Sequence, residues 1–162
     1  MKSIRGFMRI SGDLVSAGQP TRDELVDVQR CGVKVVLNLA MSDSDFALPD
    51  ERAVVESLGM EFVHIPVPFS NPTTAHFLQF EEELRSRLDQ LILVHCAYNW
   101  RASSFAALYA ERNCGWTREQ ADSLRCALWS PDETWTAWAG SIRALQGKRT
   151  AVLDGISIVL GR

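Results

Sequence analysis

The sequence predicts an α/β fold in which a central, mostly parallel sheet is flanked by helices. Short apolar, β-branched runs at residues 33–39, 61–67 and 91–95 alternate with segments of helical composition and capping, and that alternation builds parallel sheets with helices on both faces. With 162 residues, 46% apolar and 23% charged, the chain has the size and makeup of a soluble domain with one ordinary core. No internal repeat, low-complexity tract or linker divides it, so residues 1–162 are read as a single domain.

In order along the chain, residues 10–20 read as a short edge strand followed by a turn. Thr21 is a good N-cap, and Glu24 three residues on completes a capping box for a helix to about Arg30, which Gly32 ends. Residues 33–39 have the composition of a strand buried on both faces. Residues 41–49 form a polar loop carrying Asp43 and Asp45, and a helix follows to Leu58, closed by Gly59. Residues 61–67 alternate as a strand, and 68–74 are a proline-bracketed loop. Thr74 is placed to cap a helix to about Leu88, with Phe77, Leu78, Phe80, Leu84 and Leu88 on its apolar side.

After strand 91–95 the rest reads as helical, at about 101–113, 117–128 (behind a Thr117/Gln120 capping box) and 132–145. Trp116, Trp129, Trp135 and Trp138 crowd this half as core and inter-helix packing. The apolar, β-branched tail 151–160 has the composition of an added edge strand.

Several function classes fall away. A net charge of −3 gives no reason to expect nucleic acid or an anionic membrane as partner. No stretch approaches the ~20 apolar residues of a membrane span, and the first residues lack a continuous apolar segment of the export type, so a cytoplasmic location is expected. The four cysteines, Cys31, Cys96, Cys114 and Cys126, are scattered, with no Cys-x-x-Cys pair and no His at ligand spacing. Neither a metal nor a cofactor is therefore expected, and nothing in the sequence reveals an oligomeric state.

Chemistry concentrates in Leu91-Ile-Leu-Val-His95-Cys96-Ala-Tyr-Asn-Trp-Arg101-Ala-Ser103-Ser104. An apolar strand runs into His95-Cys96, and Arg101 opens a small-residue helix. A helix N-terminus presents unpaired N–H groups and the positive end of a dipole, a natural seat for an oxyanion. Cysteines in such places titrate well below the free value of about 8.5. A thiolate beside an anion seat is apparatus for attack on an oxyanion-bearing substrate. A cation in the first turn of a helix is unfavourable by itself, and an anion bound beside Arg101 would explain it. Asn99 tolerates the left-handed backbone such a loop needs. Tyr98 and Trp100 are placed to line the mouth, and His64 reads as a core residue. Because ligands bind beyond the carboxyl ends of strands in these sheets, the loops 40–48, 67–74 and 96–101 should share one rim.

His95-Cys96 followed by Arg101, together with Ala17-Gly-Gln-Pro-Thr21, Val36-Leu-Asn-Leu39 and His64-Ile-Pro-Val67, resembles the cysteine-dependent protein tyrosine and dual-specificity phosphatase superfamily. More narrowly it resembles the bacterial tyrosine-phosphatase-like domains also found fused to metallo-β-lactamase-type hydrolases. The resemblance covers roughly residues 10–113 and implies the dual-specificity type of phosphatase fold. It implies that Cys96 takes up the phosphoryl group, that Arg101 clamps its oxygens, and that the amides of Ala97, Tyr98, Asn99, Trp100 and Arg101 line the phosphate cradle. His95 would tune the loop from behind, and Ser103 or Ser104 would help expel the thiolate. The implied partner is a phosphorylated protein or small molecule.

Two departures stand out. Four residues separate Cys96 from Arg101 where the usual signature has five, and loops of this size resemble those of rhodanese-type sulfurtransferases, which carry a persulfide. The loop expected to supply an acidic proton donor has no acid between Val67 and Ala75, which leaves Asp43 and Asp45 as substitutes. The leading reading is a cysteine-dependent phosphatase. The alternatives are a persulfide carrier and a catalytically weak anion-binding module.

Overall fold

The computed structural model describes residues 1–145 and the backbone of residues 150–153 and 156–159. Strands β1 (Met8–Arg9), β2 (Leu14–Ala17), β3 (Val35–Asn38), β4 (Glu61–His64) and β5 (Ile92–His95) form one sheet in the order β1-β2-β5-β3-β4. β1 pairs antiparallel with β2, and the other pairings are parallel. The strand leading to Cys96 is thus the middle one, and its apolar run is buried throughout, as a strand covered on both faces requires.

Six helices are found among the described residues: α1 (Arg22–Arg30), α2 (Glu51–Ser57), α3 (Thr74–Arg85), α4 (Trp100–Asn113), α5 (Arg118–Cys126) and α6 (Glu133–Ala144). One face of the sheet buries Val15, Val36 and Leu93 against Leu25 and Val28 of α1 and Val55 of α2. The other buries Leu14, Leu37 and Val94 against Phe77 and Phe80 of α3, Phe105 of α4 and Trp135 of α6. This is the expected α/β architecture. Trp135 and Trp138 are core residues, the latter stacked on Phe105 with ring centroids 4.6 Å apart.

The Thr21/Glu24 and Thr117/Gln120 capping boxes form as the sequence predicts. Four expectations are corrected. β2 is an interior strand, because Met8–Arg9 supplies the edge; two half-exposed residues carry too little pattern to announce a strand. The cap of α3 is Thr73, one residue earlier than expected, and the His76 ring closes its box by accepting from the Thr73 amide at 3.2 Å. α3 stops at Arg85, and Leu78 and Leu88 lie exposed rather than on its apolar side.

The tail is the fourth. β6 (Thr150–Leu153) and β7 (Ile156–Val159) pair antiparallel as a sheet of their own instead of adding one edge strand. The sequence Asp154-Gly155 between them is a dipeptide that favours two-residue hairpins; those two residues and Leu160 of the expected tail strand lie outside the described residues. Among the described residues, no helix is long and apolar enough to cross a membrane.

Candidate active site

At the carboxyl end of β5 the chain leaves the sheet through Cys96, turns over residues 97–99 and enters α4. The turn depends on Asn99, which has φ 70° and is fully buried. Left-handed backbone is costly for most residues and cheap for Asn, and here the side chain adds a reason of its own. Its Nδ2 donates to Gly6 O at 2.6 Å and to Ser16 Oγ at 3.1 Å, tying the loop to the N-terminal segment and to β2. Beneath the loop lies Gly18, whose amide donates to Arg5 O at 2.7 Å, while the Gln19 amide donates to Ala97 O at 3.1 Å. A Cβ on Gly18 would sit 2.8 Å from Ala97 O, so only glycine lets these two segments approach.

The first hydrogen bond of α4 comes from the Ser103 amide to Asn99 O at 2.9 Å. Ahead of it, the amides of residues 97–102 donate to no protein acceptor among the described residues. Six consecutive free donors at the start of a 14-residue helix form a ready seat for an anion. Cys96 is buried at the head of this turn.

Arg101 is buried as well, at 6% exposure. Its Nη1 donates to Val67 O at 2.8 Å and its Nη2 to Ser44 Oγ at 3.3 Å. Among the described residues no carboxylate lies within salt-bridge distance of it, so its positive charge is held in place without being neutralised. The two anchoring contacts come from the two loops expected on this rim. A cleft of about 340 Å³ opens there, lined by Met41, Asp43, Ser44 and Asp45 from one loop, Phe69 from the second, and Ala97, Tyr98, Trp100 and Arg101 from the third.

Both candidate acids thus stand in the same cleft as Arg101. Asp45 accepts from the Tyr98 hydroxyl at 2.8 Å. That bond first, then partial desolvation and the charge of Asp45, push the Tyr98 phenol above its ordinary range, so it remains a donor. Asp43 is exposed and makes no hydrogen bond or ion pair with the described residues. Tyr98 stacks on Trp100 at 5.1 Å, and Trp100 on Trp129 at 5.4 Å, which gives the mouth an aromatic wall. Phe46 completes it edge-on to Tyr98, with φ 64°, a strained value for a bulky residue. The Arg5 guanidinium lies over its ring at 4.3 Å.

Ser103 is buried and turns its hydroxyl back to Trp100 O at 3.2 Å. Ser104 is buried with a hydroxyl that has no partner among the described residues. His64 is held by its Nε2 at 2.7 Å from Ala40 O, in keeping with a packed residue. Among the described residues no cluster of three or more His, Cys, Asp or Glu side chains is placed to hold a metal ion.

One group escaped the sequence reading. His95 is fully buried, and its Nε2 lies 3.0 Å from Oε1 of Glu51 in the first turn of α2. Glu51 is itself buried; it accepts from Gln19 Nε2 at 2.8 Å and from Asn38 Nδ2 at 2.7 Å. Burial pushes the Glu51 carboxyl up, but the charge of His95 and hydrogen bonds from His95, Gln19 and Asn38 outweigh it and hold Glu51 below its ordinary value. The signal available in advance was the pair of polar residues, Gln19 and Asn38, inside the segments Ala17–Thr21 and Val36–Leu39.

Solved structures with this fold are known. A protein described as "Putative phosphatase (DUF442)" from Shewanella putrefaciens is 31% identical, covering 88% of this chain and 94% of that one, with a TM-score of 0.81. TpbA of P. aeruginosa in complex with pTyr is 19% identical over 86% of this chain and 84% of its own, with a TM-score of 0.67. The core catalytic domain of the S. cerevisiae PP-IP phosphatase SIW14 in complex with citrate is 13% identical over 85% of each chain, with a TM-score of 0.71. The last two likenesses speak to the fold alone, which is that of the tyrosine and dual-specificity phosphatases. The chain belongs to the DUF442 family of phosphatase-like proteins within that superfamily. No protein-family model and no curated protein matches it.

Proposed function

We propose that this protein hydrolyses phosphate monoesters through a cysteinyl-phosphate on Cys96. The observation that carries this reading is the row of free amides at residues 97–102 beside an un-neutralised, doubly anchored Arg101. Such donors stabilise charge on a transferring phosphoryl group. The Cys96 thiolate attacks phosphorus as the bond to the leaving oxygen breaks. Arg101 and the loop amides hold the three equatorial oxygens. Asp43 gives its proton to the leaving oxygen, since Asp45 spends one carboxylate oxygen on Tyr98. Water then attacks phosphorus and gives a proton to the Asp43 carboxylate, the S–P bond breaks, and phosphate leaves with the thiolate and the Asp43 acid restored. The related folds seen with pTyr and with citrate support an anionic, phosphorylated substrate, and the free thiols of Cys31, Cys114 and Cys126 suit a reducing, cytoplasmic compartment.

The test is p-nitrophenyl phosphate hydrolysis by wild type, Cys96→Ser and Arg101→Ala. Cys96→Ser is nearly isosteric and should keep the fold while abolishing turnover. Arg101→Ala should lose both phosphate binding and rate. Wild-type turnover in pure Cys96→Ser protein would exclude the mechanism.

A further inference from the structure

Beside the catalytic cleft lies a second and larger one, of about 620 Å³, that the phosphoryl-transfer steps leave unused. Its lining includes Arg5, Gln19, Phe46 and the first turn of α1. Phe46 joins the two clefts, since it lines the second and stands edge-on to Tyr98, which lines the first. The left-handed backbone of Phe46, at φ 64°, is the kind of strain that persists only where the surroundings fix it. The Arg5 guanidinium lies 4.3 Å from the Phe46 ring centroid and 5.3 Å from that of Tyr98.

Arg5 belongs to the segment that supports the nucleophile loop. Ile4 before it is buried in the core. Arg5 O accepts from the Gly18 amide at 2.7 Å, and the next carbonyl, of Gly6, accepts from Asn99 Nδ2 at 2.6 Å. The backbone at residue 5 is thus fixed relative to the loop, while the exposed side chain reaches the two rings. Among the described residues the guanidinium makes no hydrogen bond and no ion pair. Stacking occupies only its faces; the N–H donors lie in its plane and stay available to a carboxylate or phosphate.

The other charges of the lining are accounted for. Arg22 pairs with Asp50, and Glu24 accepts from the amide and hydroxyl of Thr21 to close the cap of α1. Asp23 lies exposed in the first turn of α1, where the helix dipole favours an acid. Arg5 is therefore the cation of this lining still free to bind an anion. Gln19 is 8% exposed and spends its Nε2 on Glu51 and Pro20 O, while its Oε1 lacks a donor among the described residues. Buried acceptors are ordinarily satisfied, so the cavity holds a spare acceptor besides its cation.

We infer that this cavity is a leaving-group subsite in which Arg5 binds a second anionic group, a carboxylate or a phosphate, carried by the substrate. The inference rests on the phosphoryl group occupying the seat at residues 97–102 proposed above. Arg5 is then a specificity-determining residue: Arg101 holds the group that is transferred, and Arg5 selects what is attached to it. Phe46 and Tyr98 form the ridge between the two clefts, so the connecting part of the substrate crosses aromatic rings. No bond is made or broken at Arg5.

The test measures binding by titration calorimetry in Cys96→Ser protein, independent of turnover, so this inference can fail while the proposed chemistry stands, and the reverse. Two matched pairs of probes differ only in one charge. The first is N-acetyl-O-phosphotyrosine against its carboxamide. The second is the N-acetyl dipeptide amide of phosphotyrosine and aspartate against the same compound with asparagine. In at least one pair the acid should bind about fivefold more tightly, the upper end for a charge pair near a protein surface. Adding Arg5→Gln should bring that ratio to about one, and Arg5→Lys should retain part of it. Both changes alter only an exposed side chain and leave the Arg5 carbonyl that supports the loop. Equal affinity for acid and amide in both pairs overturns the inference without any change at Arg5, and so does a preference that survives Arg5→Gln.

Discussion

Replacing Asn99 separates two contributions that meet at one residue. In Asn99→Ala the backbone must hold φ 70° without a side chain suited to it, which costs about 1 kcal/mol. The same change removes the bonds to Gly6 O and Ser16 Oγ, each worth about 1 kcal/mol when buried. The sum is about 3 kcal/mol, and at about 2–4 °C per kcal/mol for a chain of this size the melting temperature should fall by about 6–12 °C. Asn99→Gly loses the same bonds but adopts the turn freely. It should fall by about 2 kcal/mol, leaving it about 2–4 °C above the alanine variant. Elsewhere alanine is the more stabilising of the two by about 0.4–1 kcal/mol, because it restricts the unfolded chain. The reversed order is therefore the signature of a left-handed turn at the nucleophile loop. Thermal unfolding followed by circular dichroism reads it directly, and an alanine variant as stable as the glycine one would refute the reasoning.

Other outcomes follow from the same geometry. Gly18→Ala puts a methyl group 2.8 Å from Ala97 O; overpacking of this kind costs about 1–3 kcal/mol, and because the strain falls on the loop, kcat/KM for p-nitrophenyl phosphate should drop at least about tenfold; unchanged kinetics would show that the contact does not shape the loop. Arg101→Lys keeps the charge but loses the planar fork held by Val67 O and Ser44, so inorganic phosphate should inhibit about 10-fold to 100-fold less tightly, a result that equal inhibition constants would contradict. Asp43→Asn should remove the descending limb of the kcat/KM profile and slow substrates with poor leaving groups by about 10²–10⁴, with a small effect on p-nitrophenyl phosphate; if Asp45→Asn does this instead, the roles of the two acids are exchanged. The Glu51 carboxyl is held below its ordinary value in the folded protein, so its ionisation stabilises the fold above the unfolded-state value of about 4.3, and that stabilisation is lost as pH falls through the lower folded value. Urea midpoints of Glu51→Gln should accordingly fall less steeply with acidification than those of wild type, and parallel profiles would argue against the ionised carboxylate.

The contiguous parts of the site were legible because their chemistry is local. Strand, Cys96, turn and Arg101 lie within a single stretch, and the position of Asn99 before a helix foretold the left-handed residue that its φ of 70° shows. The rim was legible from topology, since strands of one parallel sheet deliver their following loops to one side; Ser44, Val67 and Arg101 meet there as hydrogen-bond partners. Glu51 was not legible. It sits in the first turn of a short helix, where an acid is ordinarily a solvated residue favourable to the helix dipole. Only the register that sets Asn38 beside His95 reveals what it faces. Nor does the sequence announce the part of His76, whose ring takes the place of the usual Glu or Gln in the capping box of α3. The interior place of β2 was hidden by its brevity and by Ser16, a buried polar residue whose hydroxyl accepts from Asn99.

The central claim is that Cys96 carries the phosphoryl group, and intact mass spectrometry after rapid acid quench tests it most directly. Protein mixed with p-nitrophenyl phosphate during turnover should gain the mass of one phosphoryl group, located on Cys96 and absent from Cys96→Ser. Continued turnover with no such adduct would contradict the account. So would an adduct of one sulfur after incubation with thiosulfate, coupled with no phosphoryl adduct under any condition, which would make the four-residue loop that of a persulfide carrier.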